Sequence, residues 1–136
     1  MRNVIGVVAT LLLSNSVACA METRVTPVFK SELTISGQQL KLPGGDVEVA
    51  VSVYEIPPGA ALPEHRHASP RYGYVLSGKL RVSNSETGKT QDFEAGDFVI
   101  EPVGQWHRGS NPSTEPLKLL VIDQSPNGEA NVELRK

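Results

Sequence analysis

The sequence predicts an all-β fold, and three observations carry that prediction. Beyond residue 20, apolar residues recur with the two-residue alternation of a strand. Glycine and proline interrupt these runs at short intervals, and no stretch of ten or more residues keeps a helical period. Eight short strands in roughly a hundred residues fit a β-sandwich or a closed barrel, and alternation alone does not choose between them.

The first two candidate strands, Glu32 to Ile35 and Gln39 to Leu42, end at Pro43-Gly44-Gly45, which breaks pairing. Val47 to Ile56 has valine at every second position from Val47 to Val53 and stops at Pro57-Pro58-Gly59. Tyr72 to Leu76 and Lys79 to Val82 are joined through Ser77-Gly78, a turn that tolerates positive φ. Glu86-Thr87-Gly88-Lys89 then turns the chain into Thr90 to Phe93, and Phe98 to Ile100 and Leu117 to Asp123 complete the set.

Residues 1–20 lie outside this pattern. Arg2 gives a positive start, Val4 to Leu13 is an apolar run too short to span a bilayer, and Ala18-Cys19-Ala20 has the small-x-small form of a cleavage site. They read as an export signal, leaving residues 21–136 as a single mature domain with a periplasmic or secreted location. A second processing route competes with cleavage after Ala20. Ser16-Val17-Ala18-Cys19 is a degraded lipoprotein signal, in which Cys19 would be lipidated and anchor the protein to a membrane.

Cys19 is the only cysteine, so the mature chain has no disulfide and no thiolate metal site. The formal net charge is −2, and losing residues 1–20 removes Arg2 but no acid. A mildly acidic chain without a basic stretch argues against nucleic acid as a partner. No second hydrophobic span follows the signal. There is no cysteine nucleophile, nucleophile elbow or phosphate loop, so any enzyme chemistry must use the histidines.

All three histidines fall in two glycine-proline frameworks. Gly59, His65 and His67 form G-x5-H-x-H, and Gly96, Pro102, Gly104, His107 and Asn111 form G-x5-P-x-G-x2-H-x3-N. Two residues apart on an extended strand, His65 and His67 present both imidazoles to one side. Gly96, Pro102 and Gly104 let His107 approach from another strand. These motifs resemble those of the cupin superfamily over Val47 to Asp123. The resemblance implies a double-stranded β-helix, or jelly-roll barrel, with its ligands on inner strands. It also implies a divalent metal (Fe, Zn, Mn, Ni or Cu) on His65, His67 and His107. In small members of that superfamily the terminal arms often cross to a second subunit, so residues 21–31 and the tail from Ser125 are expected to serve a homodimer.

One departure governs the functional reading. Where metal-binding cupins place an acidic ligand after the histidine pair, this chain has Arg71, a permanent cation that cannot coordinate. Three outcomes are open: a neutral three-histidine site with Arg71 turned away or paired, Arg71 pointing inward to anchor an anionic ligand, or a site in which the cation replaces the metal. Glu101, just before Pro102, is the candidate partner for Arg71, or the missing carboxylate as ligand or general base, against the alternative of a solvated glutamate. Tyr72, Tyr74 and Trp106 are candidates for the cavity mouth, and Tyr74 also for the core.

The expected function is that of an exported cupin whose metal orients a small anionic substrate, with dioxygenase or isomerase chemistry if it is an enzyme. The alternatives are a non-enzymatic ligand- or metal-binding module and a metal-free jelly roll.

Overall fold

The computed structural model describes residues 22–136, so the expected export signal lies outside the described residues. Nine strands follow in order: β1 (Val47–Ile56), β2 (His65–Arg66), β3 (Arg71–Ser77), β4 (Lys79–Asn84), β5 (Thr90–Glu94), β6 (Phe98–Ile100), β7 (His107–Ser110), β8 (Leu117–Pro126) and β9 (Glu133–Leu134). They form two antiparallel sheets, β1-β8-β3-β6 and β5-β4-β7-β2-β9, closing the jelly-roll barrel that the resemblance implied. The first two candidate strands shrink to a single bridge between Leu33 and Gln39. β2, β7 and β9 are too short to stand out as alternating runs.

Strand alternation places the core. In β8, Leu117, Leu119 and Val121 point inward and meet Val75 of β3, Val99 of β6, Leu80 and Val82 of β4, and Ile56 of β1. Burying each such side chain stabilises the fold by about 1.5–3 kcal/mol before chain entropy is set against it. The same inward rows turn polar further along. Val75 pairs with Leu119, Gly73 with Val121, and then Arg71 with Asp123. The barrel is therefore apolar at one end and charged at the other.

Hairpin geometry explains the glycine of the Ser77-Gly78 turn. Gly78 joins β3 to β4 at φ +81°, and a Cβ there would lie 2.6 Å from the Pro116 carbonyl oxygen. Gly88, in the β4–β5 turn, has φ +69° but open space around it.

The ends of the chain behave differently from each other. Residues 22–31 are exposed and extended, with the Phe29 ring 5.1 Å from that of Phe98 on the outside of the first sheet. The tail from Ser125 folds back on its own barrel. β9 pairs with β2, Leu134 opposite His65 and Glu133 opposite Arg66, because β2 otherwise leaves an unpaired strand edge.

Substituting the two glycines separates backbone strain from collision. Gly88→Ala should cost roughly 1–2 kcal/mol, the penalty for a left-handed side-chain residue. Gly78→Ala should cost clearly more, since the Pro116 backbone must also move. Urea unfolding of the two variants checks the order, and equal losses would contradict the steric argument.

Candidate metal centre

His65 and His67 enter the barrel from β2 and its continuation, and His107 enters from β7, directly opposite His65 in the register. The second motif is held against the first by Gly104, whose N–H donates to the His67 carbonyl at 2.7 Å while its φ is +70°. Asn111 ties off the far end of that motif, donating from Nδ2 to the carbonyls of Ile56 and Glu115.

The three rings meet as a triangle, with centroids 4.7, 4.8 and 5.0 Å apart. Each ring makes a hydrogen bond from Nδ1 to a backbone carbonyl: His65 to Pro63 at 2.8 Å, His67 to Asn131 at 2.9 Å, and His107 to Gln105 at 2.8 Å. A carbonyl can only accept, so every Nδ1 carries a proton and every neutral ring offers its Nε2 lone pair inward. Burial also lowers the pKa of His65 below the ordinary histidine value, which keeps its lone pair free.

Glu101 is the fourth member. Strand parity in β6 turns Val99 inward, so Glu101 two residues later also faces the interior, fixed by its N–H bond to the Arg71 carbonyl. Its Oε2 lies 2.8 Å from His67 Nε2 and 3.1 Å from His107 Nε2. The group is thus three histidines and a glutamate, all buried, with ligand atoms within 4.8 Å of one another. The solvated alternative for Glu101 is excluded by its burial.

This geometry tests whether a metal fits. Two imidazole lone pairs directed at a carboxylate oxygen repel unless a cation lies among them, whether protons on the rings or a metal ion. Burial opposes ionisation of Glu101, but once positive charge lies on that edge the His107 and His67 contacts outweigh it and hold the carboxyl well below the ordinary carboxylate range. A charged carboxylate, three oriented nitrogens and backbone acceptors behind each ring form a donor set suited to a divalent first-row metal. The carboxylate in this group comes from the residue after β6, not from the first motif.

Arg71 points inward but does not pair with Glu101. Its Nε and Nη2 form a fork on Asp123, at 2.8 and 2.7 Å. Asp123 is the directly opposed residue on β8, and proximity in the register decides the pairing. Burial works against the Arg71 charge, yet Asp123 and the nearby Glu101 raise its pKa above the ordinary value. Asp123 also accepts from Asn131 Nδ2 at 2.7 Å. Burial opposes its ionisation too, and the Arg71 and Asn131 hydrogen bonds hold its pKa below the ordinary value.

A pocket of about 170 Å³ opens beside these groups, with His65 and Arg71 at one side and Tyr54, Leu62 and Pro63 among its apolar walls. No described residue accepts from Arg71 Nη1 or engages His65 Nε2, neither atom is fully buried, and both residues line the pocket. The expected mouth aromatics are placed elsewhere. Tyr72 and Tyr74 alternate to the outside of β3, where Tyr72 donates to Gln124, and Trp106 sits on the rim with Arg66 4.7 Å above its ring. Tyr54, Asp123 and Asn131 were not singled out by the sequence, because their roles depend on strand register.

A family model described as "Cupin domain" matches residues 52–123, which include both histidine motifs. The chain belongs to the cupin family. Among curated proteins, this cupin is 35% identical over 60 residues to gentisate 1,2 dioxygenase 1 of Aquipseudomonas alcaligenes, covering 44% of the chain and 17% of that enzyme. It is 23% identical over 107 residues to gentisate 1,2-dioxygenase of a Ralstonia species, covering 75% of the chain and 30% of the enzyme. The chain thus spans less than a third of either relative. Among solved structures, the oxalate decarboxylase–formate complex of Lactobacillus farciminis superposes with a TM-score of 0.55 at 24% identity, covering 63% of this chain and 26% of that one. That likeness shows the fold.

Two measurements follow from this geometry. Protein purified under native conditions should carry near-stoichiometric divalent metal by mass spectrometry. His65→Ala and His107→Ala should lose most of it, and Glu101→Gln should weaken binding by at least the roughly 10–100-fold typical of losing an outer partner. A wild-type protein that takes up no metal even on titration would end the metal assignment. Asp123→Asn should cost about 3 kcal/mol by stranding the buried Arg71 charge. Because the folded-state pKa of Asp123 is depressed, the stabilisation it contributes is complete above its unfolded value of about 3.9 and is lost as pH falls through the lower folded value. The variant should therefore show a flatter acid limb in stability against pH; identical limbs would show that the pair does not couple to folding.

Proposed function

We propose that the protein is an exported, metal-dependent cupin enzyme acting on a small anionic organic substrate, with dioxygenation as the reaction class and isomerisation the other. The observation that carries this reading is the set of four buried donors, His65, His67, Glu101 and His107, beside a pocket lined by His65 and Arg71. Fe, Zn, Mn, Ni and Cu all suit these donors. When bound, such an ion supplies Lewis-acid polarisation and a template for the substrate.

The chain's own residues supply the rest. Arg71 lines the pocket, and Asp123 takes up Nε and Nη2 and fixes the guanidinium plane, which leaves Nη1 for an anionic oxygen of the substrate. Glu101 sets Oε2 beside the Nε2 edges of His67 and His107, where its charge would help hold a divalent ion as a fourth donor. Tyr54, Leu62 and Pro63 give the pocket a mostly apolar wall. Both curated relatives are named for gentisate, an aromatic carboxylate, which agrees with an anion subsite next to a metal.

A second reading is a binding module without turnover. One observation favours it: the chain covers only 17% and 30% of the two dioxygenases, so much of those enzymes has no counterpart in it. One experiment separates the readings. Protein recovered from the periplasm, with Met21 as its first residue, is loaded with Fe(II) and given gentisate, other hydroxybenzoates, thiols and diketones in an oxygen electrode. Oxygen uptake stoichiometric with one of these is expected, abolished in His107→Ala and shifted to a roughly 10–100-fold higher KM in Arg71→Met. Binding without uptake would favour the module, and neither binding nor uptake would refute both.

A further inference from the structure

After β8 the chain turns at Gly128, and residues 130–135 run back across the charged end of the barrel as a strap. It is fastened on both sides. On the inside, the Asn131 carbonyl accepts from His67 Nδ1, its Oδ1 accepts from the Ser69 N–H at 2.8 Å, and its Nδ2 donates to Asp123. On the outside, Glu133 pairs with Arg66 at 2.8 Å and Arg135 with Glu64 at 3.1 Å, while the two arginines lie 4.7 and 5.6 Å from the Trp106 ring. Between these fastenings, Val132 and Leu134 line the same pocket as His65 and Arg71. They remain 40% and 57% exposed, so the fold itself makes little use of their apolar surface.

We infer that the strap is the specificity wall of the site, with Val132 and Leu134 contacting the apolar body of a monocarboxylate whose charged end rests between Arg71 and the metal-binding edge of His65. This rests on the anionic-substrate reading above. Charge matching limits the ligand to one carboxylate. With neutral imidazoles, a neutral Arg71–Asp123 pair, an ionised Glu101 and a divalent cation, the site has a formal charge of about +1. A second carboxylate reaching the strap would lose its hydration against two aliphatic side chains that offer no donor. An alkyl or aryl body would gain from the same surface. A volume of about 170 Å³ restricts that body to a small one.

The test uses the mature protein loaded with Zn(II), which supports binding without redox chemistry, and isothermal titration with acetate, propionate, butyrate and succinate. Affinity should rise by up to about fourfold per added methylene from acetate to butyrate. Succinate should bind at least tenfold more weakly than butyrate. In the Val132→Ala/Leu134→Ala double variant the rise should fall below about twofold per methylene, with Zn content and acetate affinity within about twofold of wild type. An unchanged rise in the double variant, or an equal loss for acetate and butyrate, would overturn the inference. Arg71→Met tells its failure from that of the underlying reading. If that variant keeps wild-type acetate affinity while the strap still sets the methylene increment, the arginine anchor fails and the wall stands. If no carboxylate binds the Zn-loaded wild type, both fail.

Discussion

The site depends on one constraint: each imidazole donates its Nδ1 proton to a backbone carbonyl. That bond decides the tautomer, sets the ring plane and leaves Nε2 as a lone pair directed at the centre of the triangle. Two of the carbonyls, those of Pro63 and Gln105, lie two residues before the histidine they serve, so the extended approach of each motif orients His65 and His107 locally. The third belongs to Asn131, 64 residues from His67, and reaches it only because the tail crosses the barrel. Removing any of these acceptors would free a ring to flip. The convergence of four donors would then be one arrangement among several.

The charged end of the barrel is also an exchange of roles between strands. A cation occupies the position where the first motif would place a carboxylate, and a carboxylate faces inward just after β6. Arg71 would repel a bound cation if its charge were uncompensated, because the pocket wall is apolar and screening is weak. Asp123 removes that difficulty by pairing with two of its three nitrogens and leaves the third without an acceptor among the described residues. Asn131 touches both halves of this arrangement, through His67 on one side and Asp123 on the other. The four donors and the Arg71–Asp123 pair are therefore built on one hydrogen-bonded chain, whose outermost link is the strap.

Much of the fold was legible in the sequence. Valine alternation in β1, the glycine hairpin at Gly78 and the boundaries of β6 were all readable, because each reflects a local preference of pleated backbone. β2, β7 and β9 were not. Two-residue elements such as β2 and β9 have no period to detect, and they exist only because a neighbouring edge accepts them. The two tyrosines of β3 were misplaced for a related reason. Alternation shows that Tyr72 and Tyr74 share a face, but which face is inside depends on Arg71, Gly73 and Val75 being drawn to the other.

By itself, then, the sequence determined the all-β class, the pairing of His65 with His67 on one side of a strand, and the glycine-proline framework that brings His107 to them. These follow from backbone geometry within a few residues. Only the tertiary structure decided that Glu101 completes the donor set, that Arg71 pairs with Asp123 and not with Glu101, and that the tail closes its own barrel. Those outcomes turn on β3–β8 register, β6 parity and an unpaired edge on β2, all contacts between residues distant in the chain. Local sequence sets which way neighbouring side chains alternate, and the choice of partner across a sheet is made when the strands pack.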